Sequence, residues 1–314
     1  MVSKNDSGKT YRNECTGNAL ATVKKHSEEQ DLTLFGSCFC PFVQRVWISF
    51  EYLQIPYKVC LCDLGNAGSL ALTNFHLKYY EVDPYKKPKD LLEVSPKGLV
   101  PGLKLNNFHP PRALNESTVI LEYINDLAMN TNGRSLLPPI TNPYARALVR
   151  LQCDHVNRSL VPSFYRYLQA QDSTAQIDQG KEFHQSIEGL VQLLDRAEKE
   201  IVRSSGPVSG EGERKALAVG LGLWIPENED PGLVDVMVGP WLHRASNVLK
   251  HYRGFELPRG QKFDRWIDKL FNHPNFASTC NTEDLYLDSY ERYAFNRPNT
   301  SQVADAVNSG RGLP

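Results

Sequence analysis

The stretch "FGSCFCPFVQRVWISF", Phe35–Phe50, decides how the first half of this 314-residue chain is organised. Cys40 stands directly before Pro41, and Cys38 lies two residues upstream. Beyond the proline, Val43, Val46, Trp47 and Phe50 fall at i, i+3, i+4 and i+7, the apolar face of an amphipathic helix. Proline suits the first helical position, because the N–H it lacks would have no intrahelical partner there. Cys40 is therefore expected at or next to the helix N-cap. Upstream, "LTLF", Leu32–Phe35, is a short apolar run that ends at Gly36, as a strand entering a turn does. Downstream, "YKVCLC", Tyr57–Cys62, has the composition of a second strand. Strand, helix and strand in about 30 residues make a βαβ unit with a parallel pair.

The pattern continues toward Ala128. The segment 64–86, with Gly65, Gly68 and Pro84 around "LALTNFHLKYYEV", is expected to be a partly helical insertion. "PKDLLEV" predicts a short helix that ends before Pro96 and Gly98. "LVPGLKL" and "RAL" predict a hairpin around "NNFHPP". "NESTVILEYINDLA" predicts a helix with Ile120, Tyr123, Ile124 and Leu127 on one face. From Pro143 the periodicity becomes helical throughout, over roughly 143–170, 178–203, 232–250 and 261–272, with no convincing strand between. The expected division is a tail at 1–28, a βαβ-α-ββα domain at 29–130, an all-helical domain at 141–295 and a disordered tail at 296–314.

Composition narrows the function classes. At 41% hydrophobic and 23% charged residues the chain is of ordinary globular type. A net charge of −1 gives no global pull toward nucleic acid or membrane. No apolar run approaches the ~20 residues that cross a bilayer. The polar opening "MVSKNDSGKTYRNECTGN" has no signal-peptide core. Seven cysteines, an odd number, point to a reducing compartment, so a cytoplasmic location is expected.

At a helix N-terminus, unpaired N–H groups and the positive end of the dipole favour thiolate over thiol. Such cysteines titrate in the range of roughly 3.5–7.5. A buried cysteine that merely caps a helix would give the same "CP" pattern, so the local residues leave both readings open. A C-x-x-C couple would need a cysteine at Val43. Cys38 lies on the wrong side and too near for an easy bridge. A reactive Cys40 would then need an external thiol, and the small intracellular one is glutathione. Three segments offer it contacts. In "GLVPGL", an X-Pro bond opening a strand beside such a cysteine is commonly cis and leaves the Val100 N–H and C=O free for an extended thiol peptide. In "NESTV", helix N–H groups and the Ser117 hydroxyl suit a carboxylate and Glu116 an ammonium, although a plain capping pair reads the same. In "YKKPKD", Lys86, Lys87 or Lys89 suits the glycyl carboxylate, with a solvated charged face as the alternative.

Together, "FCPFVQRV", "KKPKDLLEVSPKGLVPGL" and "NESTVILEYIND" resemble the glutathione-binding domain of omega-class glutathione transferases, fungal members in particular, with similarity from about Leu32 to Phe276. The resemblance implies a thioredoxin-like N-terminal domain followed by an all-helical glutathione-transferase C-terminal domain. It places Cys40 on the catalytic cysteine and Phe42 on the aromatic of its C-P-F signature. It places Lys87 on the glutathione-binding lysine, Val100 and Pro101 on the backbone-pairing residue and cis-proline, and Glu116 and Ser117 on the γ-glutamyl site. "DPGLVDVMVGPWLHR" resembles the family's folding-motif helix, where Asp235 matches but Gly232 stands for the usual Ser or Thr, which weakens the capping box. Phe164, Tyr165, Tyr167 and Trp241 are candidates to line an acceptor pocket, although aromatics at helical spacing are more often core. The implied activity is thioltransferase and reductase chemistry with glutathione as co-substrate, on disulfides, dehydroascorbate or glutathionyl ketones. The implied partner beyond glutathione is a small hydrophobic or disulfide acceptor, and the family commonly dimerises.

Two rivals compete. A zinc site of Cys38, Cys40, Cys60 and Cys62 would need C-x-C pairs, whereas structural zinc favours C-x₂₋₄-C. A non-catalytic ligand carrier or regulatory module of the same fold would commonly lack the cysteine, which is present.

Overall fold

Gly36 ends the first strand where helix and sheet come closest: a Cβ there would lie 2.5 Å from Val43 Cγ1. A side chain would push the helix off the sheet. The computed structural model of the protein describes residues 11–12, 14–28, 30–55, 58–63, 80–81, 88–203 and 211–314, with backbone alone at 58–63, 80–81 and 213. It divides into two compact units, Ser7–Gly133 with Pro274–Ser289, and Arg134–His273 with Tyr290–Pro314.

In the first unit, five strands form a mixed sheet in the order β3-β2-β1-β4-β5. The central strand β1 (Leu32–Gly36) is buried along its whole length. It runs parallel to β2 (Lys58–Asp63), as the βαβ reading expects, and antiparallel to β4 (Gly102–Leu105). Strand β5 (Arg112–Asn115) completes the hairpin with β4. A two-residue strand β3 (Tyr80–Glu81) pairs with β2 at the other edge. It falls in the 64–86 stretch read as an insertion, the rest of which lies outside the described residues.

The helices of this unit begin with α1 (Gly17–Lys25), inside the stretch 1–28 expected to be a tail. No apolar run announces α1. Its order comes from docking: Ala19 N–H donates to Cys280 O at 3.0 Å and the Thr22 hydroxyl to Ser278 O at 2.7 Å. Helix α2 (Pro41–Leu53) has Pro41 in its first turn, and Val43, Val46, Trp47 and Phe50 are all buried. Gln44, Arg45 and Ser49 are buried as well, and each is hydrogen-bonded, as buried polar groups must be. Helix α3 (Lys89–Val94) leads to the hairpin. Helix α4 (Ser117–Thr131) lies against α2 and buries Ile120, Leu121, Ile124 and Ala128. The buried face is rotated from the expected one: Tyr123 and Leu127 are only half-buried. Further along the chain, α12 (Pro274–Ala277) and the start of α13 (Glu283–Ala294) belong to the same unit.

The second unit contains helices and no strand among the described residues. Helix α5 (Pro143–His155) continues through a π turn into α6 (Val161–Gln169), and α7 (Ser173–Ala197) into another at Glu198–Val202. Then follow α8 (Glu211–Gly220), α9 (Leu233–Arg244), α10 (Lys250–Arg253) and α11 (Gln261–Asn272). The 143–170, 178–203, 232–250 and 261–272 expectations correspond closely to these. The region after Asn296, read as disordered, carries a further helix, α14 (Gln302–Asn308). Ser301 caps it by accepting the Ala304 N–H at 3.1 Å, and Gln169 Nε2 donates to Ala304 O at 3.3 Å. Ala304 and Ala306 are the residues that it buries, too small a signal for a hydrophobic pattern to show.

The α9 start resolves the Gly232 departure. A glycine has no oxygen to cap the helix, yet Asp235 supplies the reciprocal half of the box by accepting the Gly232 N–H at 2.8 Å. It also accepts the Leu223 N–H at 2.8 Å and the Trp266 Nε1–H at 2.7 Å. Space dictates the glycine: a Cβ at Gly232 would lie 3.0 Å from the Gly222 Cα. Gly222 itself has φ of +75°, and a Cβ there would sit 2.1 Å from Asp235 Oδ2.

Candidate active site

The register of the sheet collects the candidate residues at one end. Phe35 of β1 lies opposite Gly102 of β4, and Gly102 lies opposite Asn115 of β5. From that row the chain runs on from β1 into the Cys40 turn, enters β4 from Val100–Pro101 and leaves β5 into Glu116–Ser117. Loops at one sheet end, held by a rigid core, are where binding groups concentrate.

Cys40 is the N-cap of α2, with extended φ and ψ of −71° and 121°. Its N–H donates to Ser37 O at 3.2 Å and its carbonyl accepts the Gln44 N–H at 3.0 Å. The residue is half-buried and stands at the first turn of α2. Cys38, in contrast, is buried at 6% exposure. Its carbonyl accepts from Asn281 Nδ2 at 2.8 Å, which pins the turn from behind. The same amide meets Cys15, whose thiol is pushed well above its ordinary range by burial first and by neighbouring Cys38 second, against the Asn281 hydrogen bond. Among these cysteines, only Cys40 combines access with a helix N-terminus.

The Val100–Pro101 bond is cis, as the sequence reading expected. Glu116 is the N-cap of α4, but its side chain does not cap the helix. Its φ of +68° with ψ of 112° is a conformation that non-glycine residues seldom adopt, and such positions cluster at functional sites. Glu116 is exposed, whereas Ser117 beside it is buried. The Ser117 hydroxyl accepts from Arg45 Nε at 3.0 Å and from Arg45 Nη2 at 2.7 Å. The Arg45 guanidinium carbon lies 5.0 Å from the centre of the half-buried Phe42 ring. Lys86 and Lys87 lie outside the described residues, as do the side chains of Cys60 and Cys62, while Lys89 is exposed at the start of α3.

The aromatic candidates for an acceptor pocket are all buried. Phe164 and Trp241 are fully buried, and Tyr165 and Tyr167 nearly so. Phe164 packs edge-on against Tyr165, Phe183 and Tyr290, and the Tyr167 hydroxyl donates to Arg253 O at 3.2 Å. Phe164, Tyr165 and Tyr167 pack ring against ring. A cavity of about 450 Å³ in the helical unit is lined instead by Phe255, Phe263, Phe271, Lys250, Glu256 and Arg259 among others. Sequence reasoning missed Arg45, Gln44 and Asn281. The available signal for Arg45 was an arginine inside a mostly apolar helix, five residues after the cysteine. For Asn281, some 240 positions from the turn it bonds, the sequence offered none.

Comparison with known proteins follows the same lines. Residues 34–132 match the family described as "Glutathione S-transferase, N-terminal domain". The crystal structure of glutathione transferase Omega 3C from Trametes versicolor is 30% identical, with a TM-score of 0.64 over 90% of this chain and 98% of that one. Pyrimidodiazepine synthase of Drosophila melanogaster is 23% identical over 276 residues, 87% of this chain and 90% of that protein. Glutathione S-transferase DHAR2 of Arabidopsis thaliana is 24% identical over 254 residues, 80% of this chain and 89% of that protein. With a thioredoxin-like sheet domain, a helical partner domain and a relative matched nearly end to end at this identity, the chain belongs to the glutathione transferase family.

Proposed function

We propose that this protein is an omega-like glutathione-dependent thioltransferase and reductase that works through a mixed disulfide on Cys40. The observation that carries the reading is the half-buried cysteine at the α2 N-cap, at the sheet end that also presents Val100–Pro101 and Glu116–Ser117. Val100 pairs the backbone of glutathione beside Pro101, Phe42 packs at the turn, and Lys87 meets the glycyl carboxylate. Glu116 takes the γ-glutamyl ammonium and Ser117 the carboxylate. The 30% identity to an omega enzyme supports the class.

The Cys40 thiolate attacks the glutathionyl sulfur of a mixed disulfide. The S–S bond breaks, the acceptor thiolate leaves and takes a proton from water, and Cys40 carries the glutathionyl group. A second glutathione thiolate attacks that group. Oxidised glutathione departs and Cys40 returns as thiolate, so each turnover consumes one free glutathione and exchanges the mixed disulfide for oxidised glutathione and a free acceptor thiol. Dehydroascorbate and glutathionyl ketones draw on the same cysteine. A cysteine competes with any electrophile for the glutathione sulfur, so conjugation is weak.

Side-by-side assays with hydroxyethyl disulfide and with chlorodinitrobenzene test this. High exchange and low conjugation are expected. In Cys40→Ser, exchange vanishes while the fold and glutathione binding persist, because serine is a good N-cap but keeps its proton near neutral pH. Wild-type exchange rates in the serine variant would show the assignment to be wrong.

A further inference from the structure

Arg45, 3% exposed on the second turn of α2, directs both Nε and Nη2 at the Ser117 hydroxyl. A serine hydroxyl has two acceptor lone pairs and one proton. With both lone pairs turned to Arg45, Ser117 has no capacity left to accept from a ligand, and its proton is left to donate. We propose that Arg45 is a positioning residue that makes Ser117 an obligate donor, so that the site selects thiols carrying an α-amino-acid carboxylate.

The inference rests on the γ-glutamyl reading of Glu116–Ser117 and adds its selectivity. Ser117 is left to the carboxylate, and the exposed, acidic Glu116 to the ammonium. Arginine suits the role chemically: its guanidinium stays protonated and its donors form a rigid fork, whereas a lysine offers one strongly hydrated point. The Phe42 ring, 5.0 Å from the guanidinium carbon, ties the fork to the C-P-F turn.

Titration calorimetry on the full chain tests the proposal with glutathione and with γ-aminobutyryl-cysteinylglycine, the analogue lacking only the glutamyl α-carboxylate. Arg45→Met, Arg45→Lys, Ser117→Ala and the Arg45→Met/Ser117→Ala double variant are compared, with thermal melts to confirm folding. Loss of one charge-assisted contact predicts about tenfold weaker glutathione binding in Arg45→Met and a matching rise in KM with kcat retained. The analogue binds wild type and variant alike. Arg45→Lys falls between, and it carries the test if the methionine variant does not fold. Because Arg45 acts through Ser117, the double variant loses no more than about twofold beyond the Ser117→Ala single. Losses that multiply, losses equal for both ligands, or an Arg45→Met variant that binds glutathione as wild type does would each overturn it. Absence of glutathione binding by the wild type is a different result: it removes the γ-glutamyl assignment, and this proposal with it.

Discussion

Asp235 is the residue whose removal should do most damage to the helical unit, and the structure sets the size. It is fully buried, and three N–H donors, on Gly232, Leu223 and Trp266, end on its two oxygens. Asp235→Ala strands all three donors away from water, and each stranded group costs about 1–3 kcal/mol before relaxation. Allowing for partial collapse and water entry, the loss at pH 7 is about 3–5 kcal/mol. Asp235→Asn is milder, because its single oxygen still serves Gly232 and Leu223 while its amide N–H₂ faces the Trp266 donor. That leaves one conflict, about 1–3 kcal/mol. The two variants also differ from wild type in pH response. Burial raises the Asp235 carboxyl to about 6 from its ordinary 3.8, against its three hydrogen bonds. A folded pKa above the unfolded one means a contribution that is full below 3.8 and lost as pH rises through 6. Across that window the wild type should therefore lose about 3 kcal/mol from this group, whereas Asp235→Asn should not. Urea melts at pH 5, 6 and 7, followed by far-ultraviolet dichroism and tryptophan fluorescence, read both effects. An alanine variant within 1 kcal/mol of wild type, or a wild-type-to-asparagine gap that stays flat from pH 7 to 5, would refute the reasoning.

His243 should act with the opposite sign. Burial first, and the adjacent Arg244 second, hold its imidazole down at about 3, so the folded protein keeps it neutral. Its contribution is full above about 6.5 and is lost as pH falls, by about 1.4 kcal/mol per unit; His243→Leu should flatten that acid-side slope in the same urea melts, and an unchanged slope would remove His243 as its source. Treated with oxidised glutathione, the protein should gain one adduct, on Cys40. Cys38 and Cys15 are buried, and the half-buried Cys280 thiol already donates to Phe276 O at 3.4 Å, so peptide mapping by mass spectrometry that found the label mainly on any of these would mean that the α2 N-terminus does not direct the chemistry.

Much of the site is local and therefore written in consecutive residues. Pro41 after Cys40, with an apolar face at Val43, Val46, Trp47 and Phe50, specifies a helix start whichever way the rest of the chain folds, because ring geometry and 3.6-residue spacing act within a few residues. The hairpin around "NNFHPP" and the α4 start at Glu116–Ser117 are legible for the same reason. What requires two distant segments to meet was not. Helix α1 and α14 carry little hydrophobic pattern, and α1 forms because Thr16, Ala19 and Thr22 find partners near residue 280. Phe164, Tyr165, Tyr167 and Trp241 read equally well as pocket or core in the sequence; the fold buries all four, with Phe164 against Phe183 and Tyr290, Tyr165 against Tyr293 and Tyr167 against Phe255. In the sequence the glycine at 232 is a weakened cap, and only the fold, which presses Gly222 against it, supplies the reason for it. Arg45 and Ser117, 72 positions apart, share a hydrogen bond that no spacing encodes. Secondary structure follows from short-range sterics and periodicity, whereas the partner of a buried hydroxyl such as Ser117 follows from which donor the folded chain brings to it.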